Sequence, residues 1–238
     1  MTTTNEATTP RGRVLLIGAS RGLGFALAQE WVRRGWQVVA TVRDPSSRKL
    51  SEVADGQPGS IEIETVDVTV PEQIDDLRRR LTGRTFDVLF VSAGVTSKPE
   101  GIVGQTSTEE FVRVMVTNAL SPLRLIEALQ DLVAPTGTIG VMSSGQGSVA
   151  NNERGGHEVY RGSKAALNTF MRSYAARHQG EDRPLVLMAP GWVKTEMGGE
   201  GARLEVDESI PHVVTTIDEL RGRPGLHYVD YLGRTVPW

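Results

Sequence analysis

Three features of this 238-residue chain predict an α/β fold built on a parallel sheet. Short β-branched runs recur along it, amphipathic stretches alternate with them, and the first run leads into a glycine loop. Strand–helix alternation implies βαβ units, whose right-handed crossovers lay the strands parallel. The runs are Arg13–Ile17, Gln37–Thr41, Ile61–Val66, Asp87–Val91, Thr138–Met142, Leu185–Met188 and Leu226–Asp230. Each is about five residues long, the length of a buried strand. Helical patterns lie between them. Phe25–Arg33 follows the glycine loop, Asp75–Arg80 reads as a solvated helix face, and Val159–Arg177 is a long amphipathic stretch. The clearest pattern sets Phe111, Val114, Met115, Asn118, Pro122, Leu125, Ile126, Leu129 and Leu132 at threes and fours. The stretches at 106–133 and 157–178 carry more apolar residues than one sheet face requires. Residues 1–12 are polar and Thr-rich and read as a flexible tail, so one domain is expected over 13–238. No repeat, heptad seam or low-complexity linker interrupts it.

Composition excludes several classes of function. The chain has no cysteine, which removes disulfides, thiolate nucleophiles and Cys-ligated metal sites. A net charge of -3 provides no general basic field for nucleic acid. No apolar run reaches the roughly 18–20 residues of a membrane span. The start, MTTTNEATTP, lacks a basic n-region and an apolar h-region, so a cytoplasmic location is expected.

The first strand runs into Gly18-Ala-Ser-Arg-Gly22-Leu-Gly24 and then a helix. Free amides and the aligned dipole at a helix N-terminus attract an anion. Gly18 permits the tight turn, Gly22 a close backbone approach to pyrophosphate, and Gly24 close packing of helix on strand. The spacing is GxxxGxG and not GxGxxG, so the alternative is an ordinary glycine-rich turn. An acid at the end of the second strand would hold a ribose 2′-hydroxyl. The chain has Val42 and then Arg43 there. An arginine grips a 2′-phosphate with forked, charge-assisted bonds, and Arg21 is a second candidate for the same phosphate. NADP(H) is therefore expected in preference to NAD(H). Asp44-Pro45-Ser46 reads as an N-cap with proline at the first helical position.

Tyr160 and Lys164 are four residues apart on a helical stretch and share a face. The chain contains only four tyrosines and four lysines. A phenol ionises near ~10 and is a poor acid–base group at neutral pH. A nearby ammonium favours the phenolate and is expected to lower that value. Ser144, after the fifth strand, would hydrogen-bond a substrate oxygen.

In this order the residues resemble the short-chain dehydrogenase/reductase family. The matching motifs are Gly18–Gly24, Asp67-Val68, Ser92-Ala93-Gly94, Asn118, Ser143-Ser144, Tyr160-Arg-Gly-Ser-Lys164 and Pro190-Gly191-Trp-Val-Lys-Thr195. Residues 147–156, 160–168 and the ending Val229-Asp-Tyr-Leu-Gly-Arg-Thr-Val-Pro-Trp238 are similar to the C-factor/sniffer-like carbonyl reductase branch. The resemblance implies a single-domain Rossmann fold, a doubly wound seven-stranded parallel sheet with helices on both faces. It implies that Tyr160 is the general acid or base, that Lys164 lowers its pKa and binds the nicotinamide ribose, and that Ser144 positions the carbonyl. Asn118 would hold a relay water; the alternative on its own is a packed amide satisfying a neighbouring carbonyl. The implied cofactor set adds Ser20, Arg21 and Leu23 between the glycines, Asp67 and Val68 at adenine, and Ser92, Ala93 and Gly94 along the cleft. Val193 and Thr195 would bind the carboxamide, on a loop shaped by Pro190 and Gly191. The family's usual Asn-Ala-Gly is Ser92-Ala93-Gly94 here, which puts one sheet-stabilising hydrogen bond in doubt. The two broad helical stretches would form homodimer or homotetramer contacts.

On the substrate side, Val95, Thr96, Gly145, Gln146, Val149, Trp192 and Met197 suggest a mainly apolar mouth, with His157 at its rim. The Gly-rich segment between Met197 and Asp207 reads as a mobile lid. The expected activity is NADPH-dependent reduction of a ketone or aldehyde. The alternative is an NADP(H)-binding signalling or sensor protein in which turnover is incidental.

Overall fold

The computed structural model describes residues 10–46, 48–97 and 101–238, and the expected tail lies largely outside them. Seven strands form one parallel sheet in the order β3-β2-β1-β4-β5-β6-β7. They are β1 Arg13–Ile17, β2 Gln37–Val42, β3 Ile61–Thr65, β4 Phe86–Val91, β5 Val133–Met142, β6 Pro184–Ala189 and β7 Gly225–Asp230. The chain leaves β1 in one direction and returns to its other side as β4. This reversal opens a crevice beyond the carboxyl ends of β1 and β4, where doubly wound sheets bind ligands.

Alternation along the buried strands feeds two separate cores. Leu15, Ile17, Leu89, Val91, Ile139 and Val141 face one side. There they meet α3 Pro71–Arg80, α5 Ser121–Leu129 and α6 Glu158–Arg177 through Leu77, Ile126, Leu167 and Met171. Val14, Leu16, Val88, Phe90, Val186 and Met188 face the other side. They cover α1 Gly22–Arg33 and α7 Val206–Glu219 through Leu27, Trp31, Val213 and Ile217. Each such side chain stabilises the fold by about 1.5–3 kcal/mol on burial. A one-residue register slip would exchange the two cores, so the pattern also specifies the pairing.

Two expectations need correction. The pattern at 106–133 is not one helix. It divides into α4 Thr108–Met115, a π-helical turn Val116–Leu120 and α5. Pro122 has no amide to donate within the ladder, and the wider turn before it accommodates that loss. Asp44 does not cap a helix directly, because α2 begins only at Arg48; its carboxylate instead accepts from the Ser46 amide at 2.9 Å. The segment after Met197 is joined to the loop before it, with Val193 and Leu204 paired as a parallel bridge and Trp192 Nε1 donating to the Gly198 carbonyl at 2.8 Å. Among the described residues, no helix is long and apolar enough to cross a membrane.

Candidate active site

The glycine loop shows why each glycine is there. Gly18 has φ +89, and a Cβ on it would lie 2.8 Å from Ala93. A Cβ on Gly24 would lie 1.9 Å from the Gly18 carbonyl oxygen, so only glycine lets α1 start this close to β1. Gly22 has φ +54 and open space around it, the nearest atom being Thr195 Cγ2 at 3.9 Å. Thr41, at the end of β2, holds the loop: its hydroxyl and carbonyl accept from the Gly18 and Ala19 amides at 3.0 and 2.8 Å. Arg21 occupies the N-cap position in extended conformation, and its side chain makes no capping hydrogen bond. The first-turn amides therefore face the crevice as donors for an anion.

Further residues that the sequence nominates for a cofactor are placed as follows. Arg43 is exposed at the end of β2. It bears electrostatically on Asp67, whose carboxyl burial would raise but which the Thr69 hydroxyl and amide, with Arg43, hold below its ordinary value. Thr69 donates to Asp67 Oδ1 at 2.6 Å from its hydroxyl and at 2.9 Å from its amide, which fixes the carboxylate. Arg21 is engaged elsewhere: it pairs with Glu196 at 2.6 Å, joining the glycine loop to the 190–197 loop. At Ser92 the backbone joins β4 to β1, the Ser92 and Ala93 amides both donating to the Ile17 carbonyl at 2.8 and 3.1 Å. Gly191 takes φ +88, and Leu204 Cδ1 lies where its Cβ would stand.

The reactive side chains converge from three elements. Ser144 follows β5 with an extended backbone, and its Oγ accepts from the Gln146 amide at 3.1 Å. Tyr160 and Lys164 project from the first turns of α6, with Lys164 Nζ 5.8 Å from the tyrosine ring centroid. Burial pushes the Tyr160 phenol up to about 12, the hydrogen bond with Ser144 opposes this, and Tyr228 reinforces it. The lysine does not pull the phenol down as the sequence suggests. Its ammonium donates to the Met142 carbonyl at 2.8 Å, and burial lowers its own pKa to about 8. Asn118 is fully buried in the π-helical turn. Its Oδ1 accepts from the Val95 amide at 2.8 Å, and its Nδ2 donates to the Val95 carbonyl at 2.8 Å and to Ser163 at 2.9 Å. A Cβ on Gly94 would lie 3.4 Å from Asn118 Oδ1 and 3.6 Å from Lys164 Nζ, so Gly94 leaves the space between them open.

Ser143 is buried and donates to Asn168 Oδ1 at 2.7 Å, which leaves Ser144 as the serine that faces the tyrosine. Val149, Trp192 and Met197, which the sequence nominates for an apolar mouth, are all exposed. His157 is exposed and left-handed (φ 50), the one described non-glycine residue with positive φ, immediately before α6. The described residues contain no cluster of His, Asp and Glu able to hold a metal ion. Sequence reasoning missed Thr41, Glu196, Asn168 and Tyr228. Nothing in the local pattern marks them, because each acts on a segment distant in the chain.

A helix N-terminus at the sheet's switch point, with a serine, tyrosine and lysine gathered nearby, is the arrangement of an oxidoreductase. Comparison with known proteins makes this specific: the chain belongs to the short-chain dehydrogenase/reductase family. A family model described as enoyl-(acyl carrier protein) reductase matches residues 18–214. A short-chain dehydrogenase/reductase from Burkholderia multivorans with bound NADP is 56% identical, with 96% of this chain and 100% of that one covered and a TM-score of 0.93. A carbonyl reductase from Pseudomonas aeruginosa in complex with NADP is 35% identical, with 95% and 99% covered and a TM-score of 0.88. The C-signal protein of Myxococcus xanthus is 36% identical over 154 residues, 64% of this chain and 92% of that protein.

Proposed function

We propose that the protein reduces a ketone or aldehyde carbonyl with NADPH. The observation that carries this reading is the convergence of Ser144 and Lys164 on Tyr160, with Lys164 Nζ also bordering the space left open by Gly94. The residues present fit the cofactor: glycine backbone and first-turn amides for the pyrophosphate, and Arg43 for a 2′-phosphate. When bound, the cofactor supplies the hydride. Ser144 holds the carbonyl oxygen and Tyr160 donates the proton to it. A phenol pushed up to about 12 stays protonated at neutral pH, which suits a proton donor in the reductive direction. Lys164, whose ammonium donates to the Met142 carbonyl beside the tyrosine ring, would bind the nicotinamide ribose hydroxyls. Asn118 ties the 92–96 loop to α6 and so sets the width of the cleft. The NADP-bound and carbonyl reductase relatives support this reading.

Phe111, Val112, Leu120 and Phe170 are exposed on α4, the π-helical turn and α6, which supports association with a second copy through this face. Sedimentation of wild type and Phe170→Asp tests it, a dimer or tetramer being expected for the former alone.

The function is tested by NADPH oxidation against a panel of ketones and aldehydes. Turnover should fall about 10²–10⁴-fold in Tyr160→Phe while NADPH affinity is retained. The similarity to C-signal supports a second reading, a cofactor-binding signalling protein. Tight NADPH binding with no Tyr160-dependent turnover on any compound would decide for it.

A further inference from the structure

Tyr228 lies on β7, and the chemistry proposed above does not use it. Its side chain is 3% exposed, and its hydroxyl donates to the Ser144 backbone carbonyl at 2.6 Å. The Gly147 amide donates to the same oxygen at 2.9 Å, so both lone pairs are engaged. The other end of this short turn is held too: Asn168 Nδ2 donates to the Gly147 carbonyl at 3.2 Å. Ser143 and Asn168 also face the Tyr228 hydroxyl. The ring is held in place from behind, with Trp238 5.3 Å away and the Trp238 carbonyl accepting from the Ala150 amide at 2.9 Å.

The Ser144 carbonyl and side chain belong to one residue whose backbone is extended (φ −163, ψ 148). Any tilt of that peptide therefore swings Oγ relative to the Tyr160 phenol. An edge strand 84 residues further along the chain supplies the bond that resists the tilt. We propose that Tyr228 is a positioning residue of the reductase, holding the Ser144 carbonyl so that the serine hydroxyl stays against the Tyr160 phenol. This inference rests on the roles assigned above to Ser144 and Tyr160.

The test is steady-state kinetics with NADPH and the panel carbonyl that gives the highest Tyr160-dependent rate. Wild type, Tyr228→Phe, Ser144→Ala and the double variant are compared. Tyr228→Phe keeps the ring and removes only the hydroxyl. It should lower kcat about tenfold, with KM and NADPH affinity within about twofold, because binding is not what the hydroxyl controls. The double variant should be no slower than Ser144→Ala, since Tyr228 acts through that serine. Asn168→Ala, which frees the other end of the turn, should reproduce the kcat loss and the same coupling. Effects of Tyr228→Phe that multiply with those of Ser144→Ala, or kcat within twofold of wild type, would overturn the proposal alone. Full activity in Ser144→Ala, or no Tyr160-dependent turnover at all, would instead overturn the functional reading beneath it.

Discussion

Gly24 offers the sharpest numerical test of how the cofactor cleft is built. Alanine there would place its Cβ 1.9 Å from the Gly18 carbonyl oxygen and 3.0 Å from the Gly18 carbonyl carbon. An ordinary contact lies at about 3.5–4.0 Å, so the start of α1 must retreat by roughly 1.5 Å. The obstacle is backbone and cannot rotate aside. Moving the helix loosens the packing of Leu27, Ala28 and Trp31 against the sheet. Overpacking of a rigid site costs about 1–3 kcal/mol and occasionally more. With so large an overlap we expect about 3 kcal/mol, which in a domain of this size lowers Tm by about 6–12 °C. NADPH affinity should fall at least about tenfold, because the amides that face the anion move with the helix. Gly162→Ala serves as a control of opposite sign. It lies inside α6 with nothing within 4 Å of its added Cβ, so alanine should stabilise by about 0.5–1 kcal/mol. Circular dichroism melts and calorimetric titration with NADPH read both variants. A Gly24→Ala protein melting within 2 °C of wild type with unchanged NADPH affinity would refute the close-packing argument.

Other outcomes follow from the same geometry. Lys164, with its pKa lowered to about 8 by burial, releases its proton in the folded state while the unfolded chain still holds one up to about 10.5. Stability of wild type relative to Lys164→Met should therefore rise as pH increases from 8 toward 10, measured by urea unfolding; a gap that stays constant with pH would contradict the burial argument. Tyr160 has the opposite sign, and relative to Tyr160→Phe the wild type should lose stability above pH 10. Arg43→Ala should weaken NADPH binding about ten- to hundredfold and leave NADH binding alone, the loss of one or two charge-assisted bonds; an unchanged preference in titrations would sink the 2′-phosphate assignment. Asn118→Leu leaves the partly buried Val95 amide and carbonyl without their partner, and should cost about 1–3 kcal/mol in denaturant unfolding.

Much of the site was legible because its signals are local. A glycine loop between strand and helix, and a tyrosine one helical turn from a lysine, are written within a few adjacent residues. The same holds for the strands, whose cores fall within one residue of Gln37–Thr41, Ile61–Val66 and Asp87–Val91 as read from the sequence. Legibility ended where a residue's partner lies far along the chain. Arg21 stands beside the glycines, and nothing local shows its pairing with Glu196, 175 residues on. The Tyr160–Lys164 spacing is right, yet the lysine's bond to the Met142 carbonyl and the burial of both groups govern their pKa values.

What the sequence determined by itself was the parallel α/β architecture, the glycine loop and the residues that can carry the chemistry. These depend on periodicity, backbone freedom and side-chain type, which are properties of short segments. Only the tertiary structure decided that the phenol is held up near 12, that Asn118 stitches a loop to a helix, and that Tyr228 braces Ser144 from the far strand. Desolvation and long-range hydrogen bonds are set by what packs around a group, and that environment exists only once the sheet has brought distant segments together.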